Sequence, residues 1–458
     1  MESQNKVKAA YEMDMCSGPL FSKLVVFAVP LMLSGILQLL FNAADIIVVG
    51  RYAGSESLAA VGSTSSLINL LVNVFIGLSV GANVLVAQYY GARRQKDLED
   101  TVHTAMALSV IGGLILIVVG VLLADPLLRL MKTPDDVLSL AVLYMRIFFV
   151  GMPATLAYNF GSAILRAAGD TRRPLYYLLF AGVINVLLNL FFVICMNMGV
   201  AGVALATVVS QCISAVLIVR CLMVSDAPYR LRLSRLKLIK EKVAAIARIG
   251  LPAGLQGAIF SISNVLIQSS VNAFGSVAMA GNTAAANIEG FVYTSMNAVY
   301  QTALSFTSQN YGAKNFKRMT KIEWYCQGIV IVVGLVMGIG AVFLGPQLLD
   351  IYSSDMRVIQ YGMNRLRLVC APYFLCGMME VMVGALRGVG CSLLPMFVSL
   401  TGACAFRVVW IFTVFAVRRT LPVLYISYPV SWAVTFLAHT ICYLEIRRRM
   451  ARKEGDQA

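Results

Sequence analysis

Long apolar runs recur along almost the whole of this 458-residue chain, and they limit its fold more than any other feature. A helix needs about 20 mostly apolar residues, rising 1.5 Å each, to cross a bilayer. Twelve such spans are predicted: 24–49, 58–87, 101–124, 137–165, 174–196 and 200–224, then 244–274, 277–309, 322–344, 358–386, 394–417 and 421–446. Apolar residues make up 59% of the sequence and charged residues only 13%, about half the charged share of a soluble domain, so a water-facing surface cannot be assembled. The fold class is therefore an all-α polytopic membrane protein. Several runs exceed the bilayer thickness, which predicts tilted or projecting helices. Pro30, Pro153, Pro252 and Pro372 lie inside runs, where each removes a backbone donor and can bend a helix.

The net charge of +15 is informative through its position. The N-terminal arm, alternate loops and C-terminal tail, with the central loop taken from Arg220 to Arg248, carry 27 Lys and Arg, whereas the opposite loops carry 6: Arg51, Arg129, Lys132, Arg357, Arg418 and Arg419. The positive-inside rule then puts both termini in the cytoplasm. It also accounts for the basic stretch 230–242, which no nucleic-acid-reading module accompanies. Residues 1–23 are polar and lack the short apolar core and cleavage site of a signal peptide. Ten cysteines form no C-x-x-C pair and lie mostly in apolar runs, where Cys serves as a small apolar residue. His103 and His439 are far apart, with no zinc-site context. There is no phosphate-binding loop and no clustered D-D-x-x-D carboxylates, so neither ATP hydrolysis nor prenyl-phosphate chemistry is expected, and the chain does not read as an enzyme.

The two halves of the sequence repeat. Gln88, Tyr90, Gly91 and Ala92 recur 221 residues later as Gln309, Tyr311, Gly312 and Ala313. Leu165–Pro174 (LRAAGDTRRP) matches 386–395 (LRGVGCSLLP) at the same offset. Pro30, Gly35 and Asn42 match Pro252, Gly257 and Asn264 at 222, and Arg146 matches Arg365 at 219. Each half has six spans, an even number, so the halves are expected to be parallel lobes related by a pseudo-two-fold axis along the membrane normal. The predicted organisation is a cytoplasmic arm at 1–23, an N-lobe at 24–224, a cytoplasmic linker at 225–243, a C-lobe at 244–446 and a cytoplasmic tail at 447–458. Two similar lobes that rock about a shared interface suit alternating access.

These blocks resemble the multidrug and toxic compound extrusion (MATE) transporters over about residues 18 to 446. The resemblance rests on VPLMLSGILQLLFNAADIIVVGRYAGSESLAAVG in spans 1 and 2 and on the Q-x-Y-G-A blocks after spans 2 and 8. The L-R-x-x-G blocks after spans 4 and 10 and GVAGVALAT at the start of span 6 complete it. It implies export of amphipathic, often cationic, organic compounds in antiport with protons or sodium ions. It implies no cofactor beyond that coupling ion. A monomer in a bacterial inner membrane is expected, with small organic molecules and the lipid bilayer as its partners and no nucleic acid. Two alternatives stay open. A flippase for a lipid-linked precursor would favour a strongly cationic central cavity, against which the few in-span Arg and Lys speak. A passive channel could not concentrate its solute.

Ionisable residues inside a bilayer are costly and are functional candidates by default. Asp45 lies near the outer end of span 1, and the resemblance makes it a coupling-ion residue. The same resemblance assigns polar positions near that Asp to Asn185 and Asn189 on span 5 and to Thr207 on span 6. Asn185 and Asn189 are four apart and share a helix face. Counted along their spans, Asp45, Asn189 and Thr207 all lie about 6 to 10 Å below the outer surface. Hard oxygen ligands at one depth can hold a sodium ion or bond to Asp45 in one protonation state. Many relatives carry a second Asp at the position of Asn189, and here a two-carboxylate relay is missing. The C-lobe does not duplicate the site, because Asp45 aligns with Ile267, and the family's frequent span 7 carboxylate is absent around Ser261, Ser263 and Asn264. Glu289 in span 8 and Glu380 in span 10 are candidates for attracting a cationic substrate or binding the ion, with a structural pair to Lys, Arg or backbone as the other reading. Arg146 and Arg365 read as structural or snorkelling residues.

Overall fold

The computed structural model describes residues 11–455; residues 1–10 of the expected cytoplasmic arm and 456–458 of the tail lie outside the described residues. Each apolar run folds as helix, and the described residues contain no strand. The first half comprises α1 (Leu20–Tyr52), α2 (Ser55–Gly91), α3 (Gln95–Leu130), α4 (Asp135–Val150), α5 (Met152–Ala167), α6 (Arg172–Leu190) and α7 (Gly199–Val224). The second comprises α8 (Lys240–Asn272), α9 (Ser276–Gly312), α10 (Phe316–Phe343), α11 (Gly345–Asp350), α12 (Met356–Arg365), α13 (Phe374–Gly388), α14 (Leu393–Ser399), α15 (Phe406–Phe412), α16 (Val414–Val417) and α17 (Leu421–Gly455). Wider π turns at Phe191–Cys195, Leu366–Cys370 and Leu400–Ala405 extend α6, α12 and α14.

Among the described residues, nine helical stretches are long and apolar enough to cross a membrane singly. Two more spans are bent pairs, α4 with α5 at 47° and α12 with α13 at 43°. The 37-residue α9, richer in polar residues, completes twelve. The two bends fall at Pro153 and Pro372. Pro153 sits in the first turn of a new helix after Gly151, where a missing N–H leaves no bond unmade, and Pro372 follows the π turn Leu366–Cys370. Pro30 and Pro252 lie in unbroken helices, so proline alone does not break a span here.

The repeat is visible in backbone detail. Gly54 and Gly275 precede α2 and α9 with φ of 88° and 93°, and Arg93 and Lys314 follow them with φ of 55° and 56°. A Cβ on Gly113 would lie 2.4 Å from the Pro153 Cα, and one on its counterpart Gly334 would lie 2.7 Å from the Phe374 Cα. Each glycine therefore allows one long helix to touch the backbone at the bent span, the close approach by which membrane helices gain packing energy.

The chain clusters into two compact units. One holds 11–14 and Ile36–Leu255, and the other holds Met15–Gly35 and 256–455, so the division falls within α1 and within α8. In the first unit α3 packs on α5, and α7 on α5 and α6. In the second α9 is central, against α10, α12 and α13, while α17 covers α13. In the turn before α6, the Asp170 carboxylate accepts from the backbone N–H of Arg172 at 3.0 Å and of Arg173 at 3.1 Å, and from the Arg173 guanidinium. Burial pushes this carboxyl above its usual range, and the Arg173 charge opposes that.

Candidate functional site

In the first unit, a close contact between α1 and α6 builds the polar cluster. A Cβ on Gly182 would lie 1.8 Å from the Phe41 ring, so only glycine lets that ring lie against α6. Asp45 stands one turn after Phe41, and Asn185 and Asn189 stand one and two turns after Gly182. The approach therefore sets carboxylate against amide, and the Asn189 Nδ2 donates to Asp45 Oδ1. The same nitrogen donates to Asn185 Oδ1 at 3.3 Å. Asn189 is fully buried, Asn185 is buried and Asp45 is half-buried. Thr207 on α7 lies beside Asp45, and its one hydroxyl hydrogen is contested: it donates to the Val203 carbonyl at 3.0 Å, and the carboxylate competes for it. The structure thus brings together Asp45, Asn185, Asn189 and Thr207. It adds Tyr144 on α4, a buried residue close enough to feel the Asp45 charge. Tyr144 was not evident in the sequence because a tyrosine in an apolar run reads as packing.

Two features define what this cluster can do. Among the described residues Asp45 has no basic partner; the groups that act on it are Asn189 and Thr207. The Asn189 Oδ1 is buried without a hydrogen-bond partner. A carboxylate, two amide oxygens and a hydroxyl thus converge without a neutralising positive charge. Such a set is suited to a proton on the carboxyl or to a small hard cation such as sodium.

The second unit arranges its charges differently. Glu289 on α9 is gripped by Arg365 on α12 through two parallel bonds, Nε to Oε1 and Nη2 to Oε2, both 2.8 Å. Arg365 Nη1 donates to Asn282 Oδ1 at 2.7 Å, the Tyr425 hydroxyl donates to the same oxygen at 3.1 Å, and Asn282 Nδ2 reaches Gln268 at 2.7 Å. The Arg365 and Glu289 side chains are 8% and 6% exposed, so this is a desolvated pair held by further bonds. Of the two readings, structural or snorkelling, Arg365 takes the structural one, as the buried partner of Glu289; Arg146 is exposed and donates to the Val121 carbonyl at 3.2 Å. Glu380 on α13 is half-buried and forms no ion pair among the described residues, although it lies within electrostatic reach of Arg387. Glu289 and Glu380 therefore stand in unlike settings.

Comparison with known proteins follows the same division into halves. A family model described as MatE matches residues 30–191 and again 252–413. The probable multidrug resistance protein YoeA of Bacillus subtilis is 28% identical over 423 residues, covering 90% of this chain and 91% of its own length. An FAD transporter of Shewanella oneidensis is 24% identical over 357 residues, covering 76% of this chain and 77% of its own. Among solved structures, an outward-facing multidrug resistance MATE family transporter of the MOP superfamily superposes with a TM-score of 0.88 at 23% identity, covering 96% of this chain and 98% of the other. A MOP superfamily transporter from Pyrococcus furiosus, described as having a binding pocket of reverse polarity, superposes with a TM-score of 0.88 at 24% identity, covering 95% and 97%.

Proposed function

Because the chain belongs to the MatE family, we propose that it exports amphipathic organic compounds, cationic ones above all, in exchange for protons or sodium ions that bind at Asp45. The chain is a multi-pass membrane transporter, not an enzyme. Ion-coupled export rests on the Asp45 cluster, where a carboxylate without a counter-charge among the described residues meets the unpartnered oxygen of Asn189. Ion arrival supplies the missing positive charge. Loss of the ion leaves the carboxylate held by Asn189 alone, with Thr207 bonded to its own helix.

In the proposed cycle the outward-open protein takes the ion at Asp45, with Asn185, Asn189 and Thr207 as neighbours. Occupancy changes the packing of α1 on α6 and α7 and releases substrate outward. The protein then turns inward, releases the ion and reloads. The ion drives the cycle because its affinity differs between the two states. The halves 24–224 and 244–446, joined by 225–243, are the lobes that alternate, and one chain is the working unit. The chain sits in a bacterial inner membrane with both termini in the cytoplasm, as the distribution of Lys and Arg supports.

The test is purified protein in liposomes with a fluorescent organic cation, under an imposed proton gradient and, separately, a sodium gradient. One of the two gradients is expected to drive accumulation above equilibrium, and Asp45→Asn is expected to reduce it to the level of empty vesicles. An Asp45→Asn protein that still concentrates the dye would remove Asp45 from the mechanism. Wild-type protein that equilibrates the dye without concentrating it would make the chain a channel.

A further inference from the structure

Glu289 and Glu380 are not the only acids enclosed in the second unit. Glu323 and Gln327 occupy one face of α10, four residues apart, and are 6% and 7% exposed. The Gln327 Nε2 donates to Glu323 Oε1 at 2.9 Å and to the Met378 carbonyl of α13 at 3.2 Å. This leaves Glu323 Oε2 and Gln327 Oε1 buried with no donor. Two adjacent side chains thus present acceptor oxygens that nothing in the described structure satisfies, which is costly in an apolar setting.

Charged groups do not fill the gap. Burial and the Gln327 bond are the only influences on Glu323, so none of the helices packed on α10 brings it a cation among the described residues. The titratable groups that feel its charge are Cys326 on its own helix and Tyr443 on α17, and Arg447 of α17 acts on Tyr443 rather than on the carboxyl. Around Tyr443 lie Met382, Ala385, Leu386 and Phe436, an apolar wall. Only a donor or a cation completes this site.

We propose that Glu323 is a proton-binding site in the second unit, independent of Asp45, and that Gln327 changes partner when the proton binds. The exchange balances simply. With Glu323 ionised, the Gln327 amide nitrogen donates to the carboxylate and to Met378. A proton arriving on the carboxyl makes it a donor. A half-turn of the amide then puts the Gln327 oxygen where its nitrogen stood, and the new O–H donates to that oxygen. The amide nitrogen no longer faces the Met378 carbonyl, and the α10–α13 bond is lost. Release of the proton restores it. The bond that is exchanged joins α10 to the helix carrying Glu380, two residues beyond Met378.

Infrared difference spectra of the purified full-length protein in lipid, recorded between acidic and alkaline buffer, test this directly. Wild type is expected to show a protonated-carboxyl C=O stretch that appears as pH falls. Glu323→Gln is expected to lose it, and Asp45→Asn to keep it. Gln327→Leu is expected to keep the band but shift its frequency, because the O–H loses its amide acceptor. Wild-type and Glu323→Gln spectra that superimpose, or a Glu323 band that does not change with pH, would overturn the proposal. If Glu323→Gln fails to fold, Gln327→Leu decides: an unmoved band rules out the partner exchange. Because Asp45→Asn retains the Glu323 band, failure here and failure of the transport mechanism are separate results.

Discussion

The two units share one helical frame and opposite electrostatics. Both have a 37-residue helix entered at a left-handed glycine, α2 in one and α9 in the other, and both have a glycine-lined contact at a bent span. In the first, Asp45 is a carboxylate without a cationic partner, and Arg146 lies exposed on a backbone carbonyl. In the second, Ile267 stands where Asp45 would be, and the arginine equivalent to Arg146 is buried on Glu289. The α2 positions equivalent to Asn282 and Glu289 are Val61 and Ile68. The Arg365 charge is buried where a carboxylate and an amide have appeared with it. Duplication thus supplied the frame, and each copy placed its uncompensated acid on a different helix, Asp45 on α1 and Glu323 on α10.

The largest effect that would sharpen this contrast is expected at Arg365. Arg365→Ala leaves Glu289 buried and unpaired, which costs about 3–5 kcal/mol for a broken internal pair and is read as a fall in thermal unfolding temperature in detergent. Arg365→Met with Glu289→Leu is expected to recover most of that loss, because the desolvated pair contributes little net stability over apolar contacts of similar volume. A double variant as unstable as Arg365→Ala would show the pair to be worth more than packing. Next comes Gly182→Ala, whose methyl meets the Phe41 ring and costs about 1–3 kcal/mol by overpacking. It also forces α1 from α6, so it is expected to lower ion-driven transport more than its stability loss explains; transport that tracks the folded fraction alone would break that link. The smallest effect is expected for Arg146→Ala, within about 0.5 kcal/mol as for exposed sites without special contacts. A larger change there would erase the distinction between the two arginines.

The frame was legible in the sequence for a physical reason. Apolar runs report a bilayer directly, and the offset of 221 residues between Gln88 and Gln309 survives in φ angles at the ends of α2 and α9. Asp45 was legible because an acid in an apolar run is rare. The partner of Glu289 was not, since 76 residues separate it from Arg365 and both of its repeat-related positions invited one common reading. Glu323 was hidden differently. It lies near the end of its helix beside Lys321, where a charge in sequence looks solvated, and only the packing of α13 and α17 shows it to be enclosed. The bends at Pro153 and Pro372 fall beside Gly151 and a π turn, but Pro252 follows Gly250 at the same spacing inside an unbroken helix, so a glycine and a proline in sequence do not by themselves mark a break.

Helix length also has a consequence for the exterior of this protein. A 37-residue helix measures about 55 Å, against an oily layer of about 30 Å, so α2 and α9 stand well clear of the lipid. Their exits turn within residues 92–94 and 313–315, leaving stiff posts with tight elbows. A protease or an antibody fragment working from that face finds little slack chain to grip there, and the stretch 225–239 is pinned as well, with Tyr229 buried and the backbone N–H groups of Arg232 and Ile239 bonded to His103 and Thr104 of α3.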